Sequence, residues 1–299
     1  SGSASESIVD YHTDAHIADG ANITVTSDVI VDADSSFSHT GEAAAAAGST
    51  LASAGLSNDT TVLNTETLAY IGNNAQVSAK DIDITANNSV GITSAVAAAS
   101  VGAVGGNGSV GVNDIDSITK AYIGVSANVI ATGTAADEGI TIAAEDTTTL
   151  SGGSGGATAG VGNGGAAVNV NNLNKDTQAY IDSNSSVNSK GILSVNAKNN
   201  EDIYNLTIQG TGGLAAGVAG AVGVHDLNIT TKAYTDSGVK INQADGYASG
   251  GNITFAAKHD IDIESTIVGA AFAGVGVGAA VDVANIITQT NAYIGNNNS

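Results

Sequence analysis

The hexapeptide TKAYIG, residues 119–124, returns as TQAYID at 177–182, TKAYTD at 231–236 and TNAYIG at 290–295, and it is preceded by LAYIG at 68–72 and a degenerate AHIA at 15–18. Internal repetition of this kind is read before any secondary structure, because it fixes what kind of object the chain can be. The alanines of these copies are Ala15, Ala69, Ala121, Ala179, Ala233 and Ala292, so the intervals are 54, 52, 58, 54 and 59 residues. A second landmark resolves the irregularity. Short alternating strands end at Ala33, Ala86, Ala144, Ala197 and Ala257, and each lies 35 or 36 residues before the next AY alanine. From an AY alanine forward to the strand alanine the distances are 18, 17, 23, 18 and 24. The variation therefore comes from two insertions of about six residues, near 132–138 and 244–250.

Spacings of 18 and twice 18 predict a structural rung of about 18 residues, three rungs to each repeat. The expected fold is all-β, a right-handed parallel β-helix or β-solenoid. The whole of 1–299 reads as one continuous solenoid segment, with repeats beginning near 15, 69, 121, 179, 233 and 292. At ~4.8 Å per rung, about sixteen rungs would make a rod of roughly 75 to 80 Å. Stretches such as DIDIT at 81–85, GITIA at 139–143 and NITFA at 252–256 alternate with period two and are rich in β-branched residues, as strands are. The tract EAAAAAG at 42–48 has helix propensity, yet its counterparts GSVGVN at 108–113, GGAAVNVN at 164–171 and VGAAVDV at 277–283 mix Gly and Val, so it is read as strand. Turns fall at NN, NG, DG and SG pairs. The inward side chains are expected to be Val, Ile, Ala and Tyr.

Composition agrees. Gly is 39 of 299 residues and aromatics are 4%, too few large side chains for a thick core, while a hydrophobic fraction of 42% argues against disorder. Pro is absent, as suits a chain whose N–H groups pair between rungs. Cys and Met are absent too, which fits a segment of a longer exported protein. A net charge of −21 makes nucleic acid and anionic membranes unfavourable partners, and no apolar run is long enough to insert in a bilayer.

TKAYIG or TQAYID followed by an alternating strand, together with the Gly/Ala/Val tract ending in VNV or VGVND, resembles the filamentous-haemagglutinin type of large exoprotein: β-helical adhesins and leukotoxin-like proteins that Gram-negative bacteria export by two-partner or autotransporter routes. The resemblance covers all six copies. It implies an extracellular, secreted or cell-surface location and a structural or adhesive rod serving attachment, biofilm or host contact. The partner implied is a protein or glycan on a host or neighbouring cell, with lateral or end-to-end self-association alongside it. Two alternatives are a carbohydrate-active β-helix enzyme and the rod of a leukotoxin-like exoprotein.

Against the enzyme stands repetition itself, because a catalyst needs one unique cluster and these features recur in every copy; the expectation is no enzymatic activity. The acid pairs Asp81/Asp83, Asp114/Asp116 and Asp260/Asp262 lie about 6.6 Å apart on a strand face, near an inverting-glycosidase spacing, but Ile between them reads as inward and Asp as outward. His12, Asp14 and His16 share a face, with the histidines ~13 Å apart and too distant for one metal. Thus no catalytic, cofactor or metal residues are assigned; calcium is the cation that stacked corner Asp and Asn would suit, without the nonapeptide that binds it elsewhere. The recurring slot His16, Tyr70, Tyr122, Tyr180, Tyr234 and Tyr293 reads as core filler or a corner packing mark before a sugar-stacking ladder. Sequons at Asn22 and Asn228 are expected by chance.

Overall fold

The computed structural model describes residues 1–135, 137–247 and 251–299, and among them there is no helix. In chain order the strands are β1 Gly2–Ile17, β2 Asn22–Thr24, β3 Val29–Gly48, β4 Ala52–Ile71, β5 Gln76–Ala79, β6 Ile82–Ile123, β7 Asn128–Ala131, β8 Gly139–Ile181, β9 Ser186–Ser189, β10 Ile192–Thr235, β11 Lys240–Ile241, β12 Ile253–Phe272 and β13 Val275–Ile294. The EAAAAAG tract lies inside β3. All pairing is parallel, and it joins like to like. Ala15 pairs with Ala69, then Ala121, Ala179, Ala233 and Ala292 in turn. The strand alanines Ala33, Ala86, Ala144, Ala197 and Ala257 form a second such ladder. The architecture is all-β with long parallel strands in register, consistent with a β-solenoid.

The rung is not 18 residues. Each residue pairs with its counterpart 52 to 60 positions away, so one sequence repeat makes one pass of the stack. A pass begins with a short strand (β2, β5, β7, β9 or β11), runs out along a limb of about twenty residues, reverses near 49–51, 102–103 or the equivalent, and returns along a second limb. The two limbs face each other: Asn107 Nδ2 donates to Ala98 O across the reversal at 2.7 Å, and Val90, Ile92 and Ile115 share one cluster. Twenty residues at ~3.3 Å give a limb of about 65 Å, while six return limbs at ~4.8 Å stack to only about 25 Å. The long rod of sixteen rungs is thereby replaced by a broad blade of five to six.

Turns follow the backbone rather than the pair statistics. The residue four after the slot has positive φ in all six copies: Gly20, Asn74, Ser126, Asn184, Gly238 and Asn297, at 56° to 74° for this set. Asn and Gly visit that region at low cost, and Ser126 shows the corner tolerates another small polar residue. Just before β8, Lys80 Nζ lies 2.5 Å from Glu138 Oε1. Gly139 then re-enters the sheet at φ 148°, where an added Cβ would sit 2.0 Å from Ile192 O. The second insertion begins after β11; its residues 248–250 lie outside the described ones.

Inside the blade, layers alternate from the short-strand end, here the base, towards the reversal, here the tip. Nearest the base lie Ile71, Val77, Ile82, Ile84, Val129, Ile140, Ile142 and their neighbours. A polar layer follows, then a second apolar layer of Leu63, Val90, Ile92, Ile115, Leu150, Leu173, Ile203 and Leu227. Beyond it the interior narrows to Asn113, Asn171 and His225 and then to Ala98, Ser100, Ser109 and Ala219.

Candidate functional site

The Tyr of the repeat slot is not a core residue. Ala69 and Ile71 are fully buried, so the pleat throws Tyr70 between them outward, as it does Tyr122 between Ala121 and Ile123, Tyr180 between Ala179 and Ile181, and Tyr234 between Ala233 and Thr235. Parallel in-register pairing then places the rings above one another. His16 stacks on Tyr70 with centroids 4.8 Å apart, and the run continues through Tyr122, Tyr180, Tyr234 and Tyr293 at 4.7 to 5.1 Å with planes within 13°. Ring faces are consumed by neighbouring rings, which leaves edges and hydroxyls towards solvent. A ladder of this form cannot offer a sugar a ring face except at its ends.

The hydroxyl row is flanked by acids and amides. Tyr234 Oη donates to Gln178 Oε1 at 3.1 Å, and Lys120 Nζ lies 3.1 Å from Asp176. Burial among the rings, with Tyr70, Asp14, Asp182 and Asp19 adding to it, pushes the Tyr122 phenol up to about 12. Tyr70, Tyr180 and Tyr234 are also raised, burial first. These hydroxyls stay protonated throughout the physiological range and can donate as well as accept.

Beside this ladder run polar rails on the outer face of the return limbs. Asn64 Nδ2 donates to Asp10 Oδ1, Asn172 to Asp114 at 2.6 Å, Asn228 to Asn174 at 3.1 Å and Asn285 to Asp226 at 2.9 Å. Interleaving Asn between Asp keeps carboxylates from stacking on each other at the ~4.8 Å rung spacing. Asp114 and Asp116 therefore sit outward on two such rails, with Ile115 wholly buried between them. Asp81 and Asp83 flank buried Ile82; Asp81 Oδ1 accepts from Gly139 N at 2.6 Å, while burial and then Asp81 raise the Asp83 carboxyl. Asp260 and Asp262 flank the inward Ile261.

His12 and His16 lie on either side of Asp14: His16 Nδ1 meets Asp14 Oδ1 at 2.9 Å, His12 Nε2 stands 3.8 Å from Asp14 Oδ2, and His12 Nδ1 meets Glu66 Oε2 at 3.0 Å. At the corner suited to calcium, Asp19 Oδ1 accepts from Asn73 N at 2.7 Å and Asn73 Oδ1 from Val125 N at 2.8 Å. Among the described residues, no three of His, Asp and Glu are grouped to hold a metal.

A buried ion cluster was missed at the level of sequence. Lys175 is fully buried, 2.7 Å from Asp146 and 2.9 Å from Glu201, and donates to Thr148 Oγ1 at 2.9 Å. Thr119 donates to Asp146 Oδ2 at 3.0 Å, Asn88 at 3.3 Å, and His259 Nε2 lies 2.7 Å from Glu201 Oε2. Burial alone would lower the Lys175 ammonium, but the two carboxylates outweigh it and hold the group above its ordinary value. The signal was parity: Asn88, Asp146 and Asn199 share the pleat side of Ala86, Ala144 and Ala197, and Lys175 that of Leu173 and Thr177. Enclosed on all sides, this cluster is a fixture of the core and offers nothing to a ligand.

Compared with family models, curated proteins and solved structures, the chain shows no match.

Proposed function

We propose that this chain is part of an extracellular adhesive scaffold, a right-handed β-solenoid of a secreted or cell-surface bacterial exoprotein resembling the filamentous-haemagglutinin type. What supports the reading is the aromatic ladder: one outward chemical position repeated in all six passes at a spacing near 4.8 Å. Such a row is multivalent by construction, since a long polymeric ligand, glycan or protein, meets the same Tyr hydroxyl in five successive passes. Breadth replaces reach as the design, because the blade exposes long outer limbs and little height.

The test is display of residues 1–299 on an otherwise non-adherent cell, with attachment scored on glycan-coated and protein-coated surfaces. Attachment above the empty display, lost in a Tyr122→Ser, Tyr180→Ser, Tyr234→Ser variant that keeps its β circular dichroism, supports the proposal. Attachment no better than the empty display, or cleavage of a polysaccharide that disappears in Asp81→Asn, Asp83→Asn, would overturn it.

A further inference from the structure

The outer face of the return limbs near the tip holds an array that the adhesive ladder does not use. Val110, Val168, Val222 and Val281 form one outward row across four rungs, and Val112, Val170, Val224 and Val283 form the next row towards the base. On the tip side of these ridges lies a row of Gly108, Ala166, Gly220 and Ala279, closed at one end by Leu56, and beyond it Gly106, Gly164, Val218 and Val277. Val218, Val277, Val281 and Val283 are each about half exposed or more. In a chain of net charge −21, the outward positions of both tip faces carry a single charged residue, Glu42. Contiguous apolar surface of this extent marks an interaction site.

We infer that this face pairs with the same face of a second copy of the chain, about a two-fold axis parallel to the stack. Three observations select that partner and that axis. First, ridges repeating at ~4.8 Å along the stack mesh fully only with a surface of equal repeat, which an identical stack supplies. Second, rotation about this axis exchanges the ridge side of the face for the trough side. The Val110 row then lies over the partner's Gly108 row, and each copy fills the other, as an isologous contact requires. The Val112 row meets Gly106 and Gly164 at one end and Val218 and Val277 at the other, so the contact is closer at the first end. Third, the same rotation points the two acidic base halves in opposite directions, whereas an axis along the strands would lay ridge on ridge and acid on acid.

Seven residues of limb by four to five rungs give about 450 to 550 Å² per copy, hence roughly 900 to 1,100 Å² in total, the size of a weak, reversible interface. The opposite face, of Ala44, Ala97, Gly155 and Ala157 beside Ile208, is apolar too, but it has no double ridge to insert.

Sedimentation equilibrium of the fragment should show a monomer–dimer equilibrium. Val170→Lys with Val224→Lys should weaken dimerisation by more than about tenfold. Ala97→Lys with Ile208→Lys adds the same charge to the opposite face and should leave it intact. Because the chain has no cysteine, the axis is testable directly. A mixture of Ala166→Cys and Val168→Cys proteins should be joined into dimers by a short bis-maleimide, with far less product from either protein alone. A chain that stays monomeric at all concentrations, a dimer broken equally by both lysine pairs, or cross-linking of the single-variant samples as strong as that of the mixture would overturn the proposal.

Discussion

Base and tip of the blade are built from the same alternation but by different physics. At the base the short strand adds a third wall, and the space is filled by Ile, Val and Ala down to 0% exposure, with the ion cluster set just beyond. At the tip two limbs close directly on each other, which demands Ala, Ser, Gly and Asn inside. Several buried polar atoms there, among them Ser100 Oγ, Ser109 Oγ and Thr158 Oγ1, have no partner among the described residues. Unpartnered polar atoms and small side chains contribute little, so the stability of a rung resides at its base. The tip is the part free to specialise its outer surface.

The contrast breaks first at Lys175. Lys175→Met leaves Asp146 and Glu201 buried and uncompensated, and the expected cost is about 3–5 kcal/mol. Chemical denaturation would read it, and adding Asp146→Asn and Glu201→Gln to the same variant should restore much of the loss. A cost below that of an ordinary surface substitution would show the cluster to be solvated. Next comes a matched pair of truncations. Ile142→Ala in the base core should cost about 2–5 kcal/mol by transfer and cavity, and Ala98→Gly at the tip about 0.5–1 kcal/mol. Comparable losses at the two sites would erase the distinction between them.

The smallest effect lies at the border of the two halves. His225 is buried beside Asn171, Asn205 and Asp282, and burial holds its pKa below the ordinary 6.5, against an upward pull from Asp282. The unfolded chain therefore takes up a proton that the folded one refuses. Stability is full above about pH 6.5, falls as pH drops below it, and levels off once the folded ring protonates. His225→Gln should flatten that part of the stability–pH curve while leaving the carboxylate-driven loss at lower pH. Curves that remain parallel from pH 7 to 5 would place the histidine outside the linkage.

Much of the fold was legible in the AY copies and the period-two strands, because parallel ladders stack like on like. That same rule carried the rung size, and the 18-residue reading overlooked it. A rung of 18 would require chemical likeness between Tyr70 and its positions 52 and 88, which are Ala and Asn. The distance of 17 or 18 from an AY alanine to a strand alanine measures only the corner and short strand, and the constant 35 or 36 measures the limb out and back. Tyr was misplaced because size suggested burial, although its neighbours Ala69 and Ile71 already occupied the inward parity. The interior polar layer escaped for the converse reason: only Val, Ile, Ala and Tyr were expected inward, although Asn88, Asp146 and Lys175 hold inward positions of the pleat. What no sequence pattern could supply is partner choice across the core, such as Lys175 with Glu201 twenty-six residues on.

A rung of about 55 residues also has a mechanical meaning. Pulled from its ends, a stack of this kind yields by shedding whole outer passes, since each outer pass is held to a single neighbouring pass. Every pass surrendered exchanges ~4.8 Å of stacked height for roughly 180 Å of extended chain. The molecule thus stores a long tether in a short object.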